Sequence, residues 1–147
     1  MKRGLYRRAV FIVTYAIIDG TPNYLILKRR LHWNGWEFPK GGIEKMEFRR
    51  LAIRRELFEE TNLIPKKIKS FPVKGKYTYK KECLDRPGVK GQTYKLYAVE
   101  VEKKRVSVDK KEHSGFEWLP FEKAVKKLTW KNQKDCLKIV DEWLKGK

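Results

Sequence analysis

Histidine, cysteine, acid and long apolar runs are what this 147-residue chain has least of, and each shortage closes off a class of function. Two histidines, His32 and His113, with no HExxH pattern, leave nothing from which to build a zinc hydrolase site. Two cysteines, Cys83 and Cys136, without CxxC spacing, are too few for a disulfide framework and predict a reducing compartment. The longest apolar stretch, Ala9 to Ile18, has ten residues and is too short to span a bilayer. It is rich in β-branched side chains, lacks a small-residue cleavage site and runs into Asp19-Gly20, so a buried strand fits it better than a signal peptide. The expectation is a cytoplasmic protein with no membrane contact and no obligate protein partner. No linker, repeat or low-complexity tract divides the chain, which predicts one domain over residues 1–147.

The shortage of acid is the most telling. With 36 Lys and Arg against 18 Asp and Glu, the formal charge is +18, while 41% hydrophobic residues exclude a disordered chain. A heat-adapted surface is one account of so many lysines, but such surfaces balance them with glutamates. An uncompensated positive field concentrates phosphate-bearing molecules, so a polyanionic substrate or partner is the better account.

Strand and helix patterns alternate along the chain. Residues 6 to 18 and 24 to 29 read as strands joined by a five-residue hairpin loop, Asp19 to Asn23. Residues 31 to 43, with Trp33, Gly35, Trp36, Pro39, Gly41 and Gly42, read as loop. From Glu47 to Thr61 there is neither Gly nor Pro, which predicts a helix, with Asn62 as a left-handed terminator. Further strands are expected at 67 to 73, 76 to 82, 92 to 102 and 115 to 119. Helices are expected at 121 to 128 and 130 to 144, the last docked by Leu137, Val140 and Leu144.

The helix from Glu47 carries the chemistry. At 100° per residue Glu60 falls about 40° from Glu56 and Glu59 about 60° from it on the other side, so three carboxylates share one face. Such a cluster repels itself, and a divalent cation would reverse the cost. Oxygen donors of this kind suit Mg²⁺ or Mn²⁺. Arg55, four residues before Glu59, can hold that carboxylate. A solvated acidic helix face is the plain alternative for three glutamates alone.

The spacing around them is more specific. Gly41, Glu47, Arg55-Glu56-Leu57, Glu59-Glu60 and Leu63 resemble the Nudix box, GX5EX7REUXEEXGU with U a bulky apolar residue, at eight of its nine specified positions. The ninth, Asn62, stands where the family has glycine, and Asn also tolerates a left-handed helix end. The resemblance implies an α+β fold, the Nudix α/β/α sandwich, with a mixed sheet and a loop-helix-loop. It implies Glu56, Glu59 and Glu60 as metal ligands with the Gly41 carbonyl, and Arg55 and Glu47 as residues that orient the carboxylates. It also implies hydrolysis of a nucleoside diphosphate linked to some further group. Glu59 is then the first candidate for general base.

Segments outside the box bear on the substrate. Glu112-His113-Ser114-Gly115-Phe116-Glu117-Trp118-Leu119 resembles the EH..(Y/F).WL stretch of asymmetrical diadenosine tetraphosphate hydrolases, which makes Glu112 a second candidate base and metal neighbour; a solvated loop glutamate is the alternative, and His113 is as readily structural as catalytic. Trp36 to Gly42 is similar to the W.FPKG segment of dinucleoside tetraphosphate hydrolases and decapping enzymes, which implies Lys40 as a phosphate-binding charge. Lys90-Gly91-Gln92-Thr93-Tyr94-Lys95 resembles a (K/R)GQ.QK stretch shared by plant dinucleoside tetraphosphatases and bacterial RNA 5′-pyrophosphohydrolases, with Tyr94 in place of the second glutamine. Lys90 and Gln92 are therefore candidate substrate contacts. Tyr77, Tyr79 and Tyr94 could stack on bases or simply pack in a sheet, and Arg30, after Lys28 and Arg29, could face polyphosphate or be a basic strand edge. The expected reaction is asymmetrical cleavage of diadenosine tetraphosphate to ATP and AMP. The alternative is pyrophosphate or cap removal from RNA 5′ ends, and a third reading is a Nudix-like nucleotide- or RNA-binding module without catalysis, which the intact Arg55, Glu56, Glu59 and Glu60 oppose.

Overall fold

In the computed structural model the described residues are 4–79 and 88–147. Strand β1 (Leu5–Ile18) runs through the centre of a mixed sheet, and Val10 to Ala16 along it are all buried. A strand covered on both faces needs a continuous apolar run rather than an alternating one, which is why this stretch imitates a short signal sequence. Its odd residues Phe11, Val13 and Tyr15 pack with the C-terminal helices α2 (Phe121–Lys127) and α3 (Lys131–Lys145). Its even residues Val10 and Ile12 pack against Ile53 and Leu57 of α1 (Arg49–Thr61). The result is the expected α/β/α sandwich.

The remaining strands are β2 (Thr21–Arg29), β3 (Gly35–Glu37), β4 (Lys40–Gly42), β5 (Lys67–Thr78), β6 (Val89–Glu100) and β7 (His113–Leu119). The order is β3-β2-β1-β6-β5, with β4 also paired to β1 and β7 to β2. Among the described residues only the β1–β6 ladder is parallel; the other ladders are antiparallel.

The structure corrects several expected boundaries. Ile18 pairs directly with Thr21, so the hairpin loop is two residues, not five. Asp19 and Gly20 both have positive φ, 52° and 79°, the geometry of the tight primed turn that matches strand twist. The expected loop over 31 to 43 contains β3 and β4. Pro39 ends one and the other begins after it, so the segment leaves β2 and joins β1. The two strands expected at 67 to 73 and 76 to 82 are one edge strand with a register break between Ser70 and Lys74, where Pro72 sits. Residues 80 to 82 and Cys83 lie outside the described residues. Helix α1 begins at Arg49, two residues later than expected, and Asn62 caps it at φ 64° with its N–H on the Phe58 carbonyl. No helix among the described residues is long and apolar enough to cross a membrane.

Candidate active site

Where β4 passes the middle and last turns of α1, the sheet leaves a cavity of about 280 Å³. Gly41 and Gly42 of β4 form one wall, Glu56, Glu59 and Glu60 of α1 another, and Glu112 with Asp109 closes it from the loop before β7. Glycine at 41 is a steric requirement. A Cβ there would fall on the Glu56 carboxyl, and one at Gly42 would fall on the Arg7 guanidinium.

Arg55 is the organising cation. Its Nε and Nη2 donate to the two carboxylate oxygens of Glu47, each at 2.8 Å, a fork-on-fork pair that fixes the guanidinium plane. The same Nη2 donates to the Gly42 carbonyl at 2.9 Å, tying α1 to β4. Nη1 donates to Glu56 at 2.9 Å and to Glu59 at 3.3 Å. The hydrogen bonds from Arg55 hold the Glu47 carboxyl down to about 2. The Arg55 guanidinium is raised above its usual value, by Glu47 first and then, against burial, by Glu56.

The acids on α1 are unequal. Glu59 is exposed, whereas Glu60 is buried. Burial, together with the facing carboxylates Glu37, Glu112 and Glu56, pushes the Glu60 carboxyl well above the ordinary range, with Lys40 opposing. Glu56 is also raised, by burial first, although Arg55 opposes the shift. One oxygen of Glu60 is buried without a hydrogen-bond partner. Among the described residues no three acids already form a compact ligand cluster, since Arg55 stands between Glu56 and Glu59. The donor set nevertheless fits a hard divalent cation: carboxylate oxygens from successive helix turns, one lacking a partner, at a charge density that burial penalises. A cation held by Glu56, Glu59 and Glu60 would neutralise polyphosphate charge and acidify a water molecule there.

Behind this wall lies a second network that the sequence reading missed. Glu37 and His113 are completely buried, and Glu37 Oε2 is 2.7 Å from His113 Nε2 and 3.3 Å from Arg29 Nη1. Lys40 Nζ lies 3.7 Å from the other Glu37 oxygen, and Arg29 Nη1 reaches Glu112 at 3.8 Å. Burial alone would raise Glu37, but Lys40, the His113 hydrogen bond and Arg29 outweigh it and hold the carboxyl at about 2. Burial likewise works against charge on Lys40, and Glu37, then Tyr77, keep its ammonium above its usual value. His113 is thus placed as a structural residue, and Glu37 ties together β2, β3, β4 and β7. A charged residue between Trp36 and Phe38 in an apolar segment was the available signal.

The other expected residues divide. Gly41, Lys40, Arg55, Glu56, Glu59, Glu60, Gln92 and Glu112 come together at the cavity, with Glu47 behind Arg55. Arg30 does not line it: its side chain is exposed, and its buried neighbour Arg29 occupies the place expected of it, because alternation on β2 turns only one of the pair inward. Lys90 is also outside the cavity, with its ammonium 4.9 Å from the centre of the Tyr6 ring. Tyr94 stacks flat on Phe11 with centroids 3.9 Å apart, and Tyr77 donates to Gln92 at 2.6 Å; neither these two nor Tyr79 line the cavity. Arg7, Glu44 and Asp109, which the sequence reading left out, do line it.

Comparison with known proteins gives this arrangement a context. An RNA pyrophosphohydrolase of Histophilus somni is 26% identical over 138 residues, covering 86% of this chain and 72% of that one. Among solved structures, a NUDIX hydrolase of Listeria monocytogenes is similar at TM-score 0.77 and 24% identity, covering 94% of both chains. An Ap4A hydrolase of C. elegans is similar at TM-score 0.76 and 22% identity, covering 96% of this chain and 99% of that one. The NUDIX domain model matches residues 5–138, a span that holds every wall of the cavity; the chain belongs to the NUDIX family and is a hydrolase of phosphoanhydride bonds.

Proposed function

We propose that this chain hydrolyses nucleoside 5′-polyphosphates with a divalent metal, and that its substrate is the 5′-triphosphate end of RNA. The carrying observation is the charge: +18 on a protein whose catalytic cavity presents only Arg7, Arg29, Lys40 and Arg55 as cations. A small nucleotide filling that cavity leaves most of the excess without a role, whereas a longer polyanion uses it. The relatedness to RNA pyrophosphohydrolases points the same way and moves RNA ahead of the dinucleotide expected first.

In the reaction a water oxygen bonds to phosphorus, the anhydride P–O bond breaks, and the water proton passes to a carboxylate. Glu59 and Glu112, both at the cavity, are the candidates for that carboxylate. Lys40, braced by Glu37, supplies a fixed positive charge for the phosphates, and Arg55 holds Glu56 and Glu59 in place. Diadenosine tetraphosphate remains a second reading, favoured by the placement of Glu112 and Lys40 from the two segments that resemble its hydrolases.

The test is a product assay in ¹⁸O-labelled water with Mg²⁺ or Mn²⁺. Triphosphorylated RNA is expected to yield a 5′-monophosphate end and pyrophosphate. ATP and AMP from diadenosine tetraphosphate, with RNA left intact, would install the second reading. No turnover of either would overturn both.

A further inference from the structure

On the α1 side of the sheet, past the cover of the helix, the ends of β1, β6 and β5 present a face on which Arg8, Lys74 and Lys76 are exposed and Lys95 is half-buried. The register sets Arg8, Thr93 and Lys76 in one row across three strands, and Lys95 and Lys74 side by side in the next. Tyr6 and Thr78 flank Gly91 in the row before, with their hydroxyls 2.9 Å apart. The ammonium groups of Lys76 and Lys90 converge on the Tyr6 ring, 4.8 and 4.9 Å from its centre. These rows hold four cations, Lys90 at the register break beside them adds a fifth, and no carboxylate stands in the rows among the described residues.

Folding alone does not account for this. Like charges directly opposite each other in a sheet are destabilising, and Lys74 faces Lys95 across the β5–β6 ladder. Lysines on an edge strand guard against sheet-to-sheet pairing, which covers Lys74 and Lys76 on β5. Arg8 and Lys95 lie on interior strands, where that purpose is absent. The spacing is that of a grid, about 6.8 Å between residues two apart on a strand and about 4.8 Å between strands. The grid also adjoins the cavity. The Arg8 carbonyl accepts from the N–H of Ile43, next to Gly42 in the cavity wall, while Arg7, between Tyr6 and Arg8, lines the cavity from the opposite face of β1.

We propose that this face binds the single-stranded body of an RNA whose 5′ polyphosphate occupies the cavity, a proposal that rests on the RNA reading of the active site. The phosphates take up Arg8, Lys74, Lys76, Lys90 and Lys95, and the Tyr6 ring, once its lysines turn to phosphate, stacks on a base.

The test uses the full chain and fluorescence anisotropy with 5′-monophosphorylated single-stranded RNAs of two to about twelve nucleotides, from about 50 to 300 mM salt. Affinity is expected to rise with length and then level off, and the logarithmic salt slope to steepen by about 0.7 for each phosphate engaged. A Lys74→Gln/Lys76→Gln/Lys95→Gln variant, its native fold checked by circular dichroism because Lys95 is half-buried with its ammonium 5.6 Å from the Tyr97 ring, is expected to flatten the slope for the longest RNA by about 2. It should weaken that binding about 100-fold near 100 mM salt. The kcat/KM ratio of a triphosphorylated twelve-mer to a triphosphorylated dinucleotide should fall at least tenfold. Affinity independent of length, or equal in the variant, overturns the proposal; so does binding to phosphatidylserine vesicles in preference to RNA, which would make the face a membrane contact. If the dinucleotide is hydrolysed while length has no effect, this proposal fails and the active-site reading stands. Length-dependent binding that the variant loses, with no pyrophosphate released from any RNA, keeps the face and removes the assigned reaction.

Discussion

Replacing Glu60 by glutamine is expected to abolish hydrolysis and yet make the metal-free protein more stable. The carboxylate is buried, it faces Glu37, Glu112 and Glu56, and its Oε2 has no hydrogen-bond partner. An unsatisfied buried polar atom costs about 1–3 kcal/mol, more for a charged group. The amide keeps the shape and removes the charge. For a domain of this size each kcal/mol shifts the melting temperature by about 2–4 °C, so the variant should melt about 3–10 °C higher in chelator. The pH dependence identifies the cause. The folded carboxyl titrates well above its ordinary 4.5. Below that ordinary value both states are protonated and variant and parent differ little. As pH rises the unfolded chain releases its proton first, so the parent loses stability while the variant does not, and the gap widens until the folded carboxyl also ionises. Mg²⁺ should then narrow the gap by stabilising the parent more than the variant. Melting curves between pH 4 and 8, with chelator and with Mg²⁺, measure all of this. A variant less stable than its parent at pH 8 in chelator, or a gap that ignores pH, would refute the reasoning.

Other substitutions probe the neighbouring contacts. Glu56→Gln and Glu59→Gln should each reduce turnover at least ~100-fold while near-native circular dichroism is kept, because they remove charge at the cavity rather than core volume; turnover close to that of the parent in both would undo the assignment. Arg55→Lys keeps a positive charge but cannot reproduce the fork on Glu47 and the bond to Gly42, so activity should fall by a similar factor and charge alone should not rescue it. Arg29→Met leaves the buried Glu37 short of a partner and should cost about 3–5 kcal/mol in urea unfolding; a loss under 1 kcal/mol would mean that Lys40 and His113 suffice to hold that carboxylate.

The fold was legible to the extent that local chemistry and tertiary partner agreed. The β1 run, the α1 interior and the Asn62 terminus are where expected, because each follows from local rules: an apolar strand, an absence of helix breakers, a residue that accepts positive φ. The stretch from 31 to 43 was misread because β3 and β4 are three residues each, and neither has any pattern of its own. They exist by pairing with β2 and β1, and pairing of that kind is invisible without the partner. The split seen in β5 has the same origin, since Pro72 and Gly75 look like breaks and an edge strand tolerates both.

The site was legible where function places like charges together and illegible where it pairs opposite ones. Three glutamates on one helix face are conspicuous because they repel, yet alone they also fit a solvated acidic face, and it is the resemblance of the surrounding spacing to the Nudix box that singles them out. Arg29, Glu37, Lys40 and His113 compensate one another across β2, β3, β4 and β7, and nothing in the sequence around any one of them names its partners in the network. Their worth lies in what the pairing does to Glu60. Glu37 is held ionised at the back of a cavity whose front is already negative, which raises Glu60 further and sharpens the demand for a cation at the three α1 carboxylates. Lys40, anchored to the same Glu37, is kept charged at the cavity. A Lys40→Met chain should therefore bind phosphate-rich substrate more weakly, chiefly in KM, while a Glu37→Gln chain should lose kcat as well, because it releases Lys40, Arg29 and the Glu112 that Arg29 reaches. Equal kinetic profiles for the two variants would show that Glu37 acts on Lys40 alone.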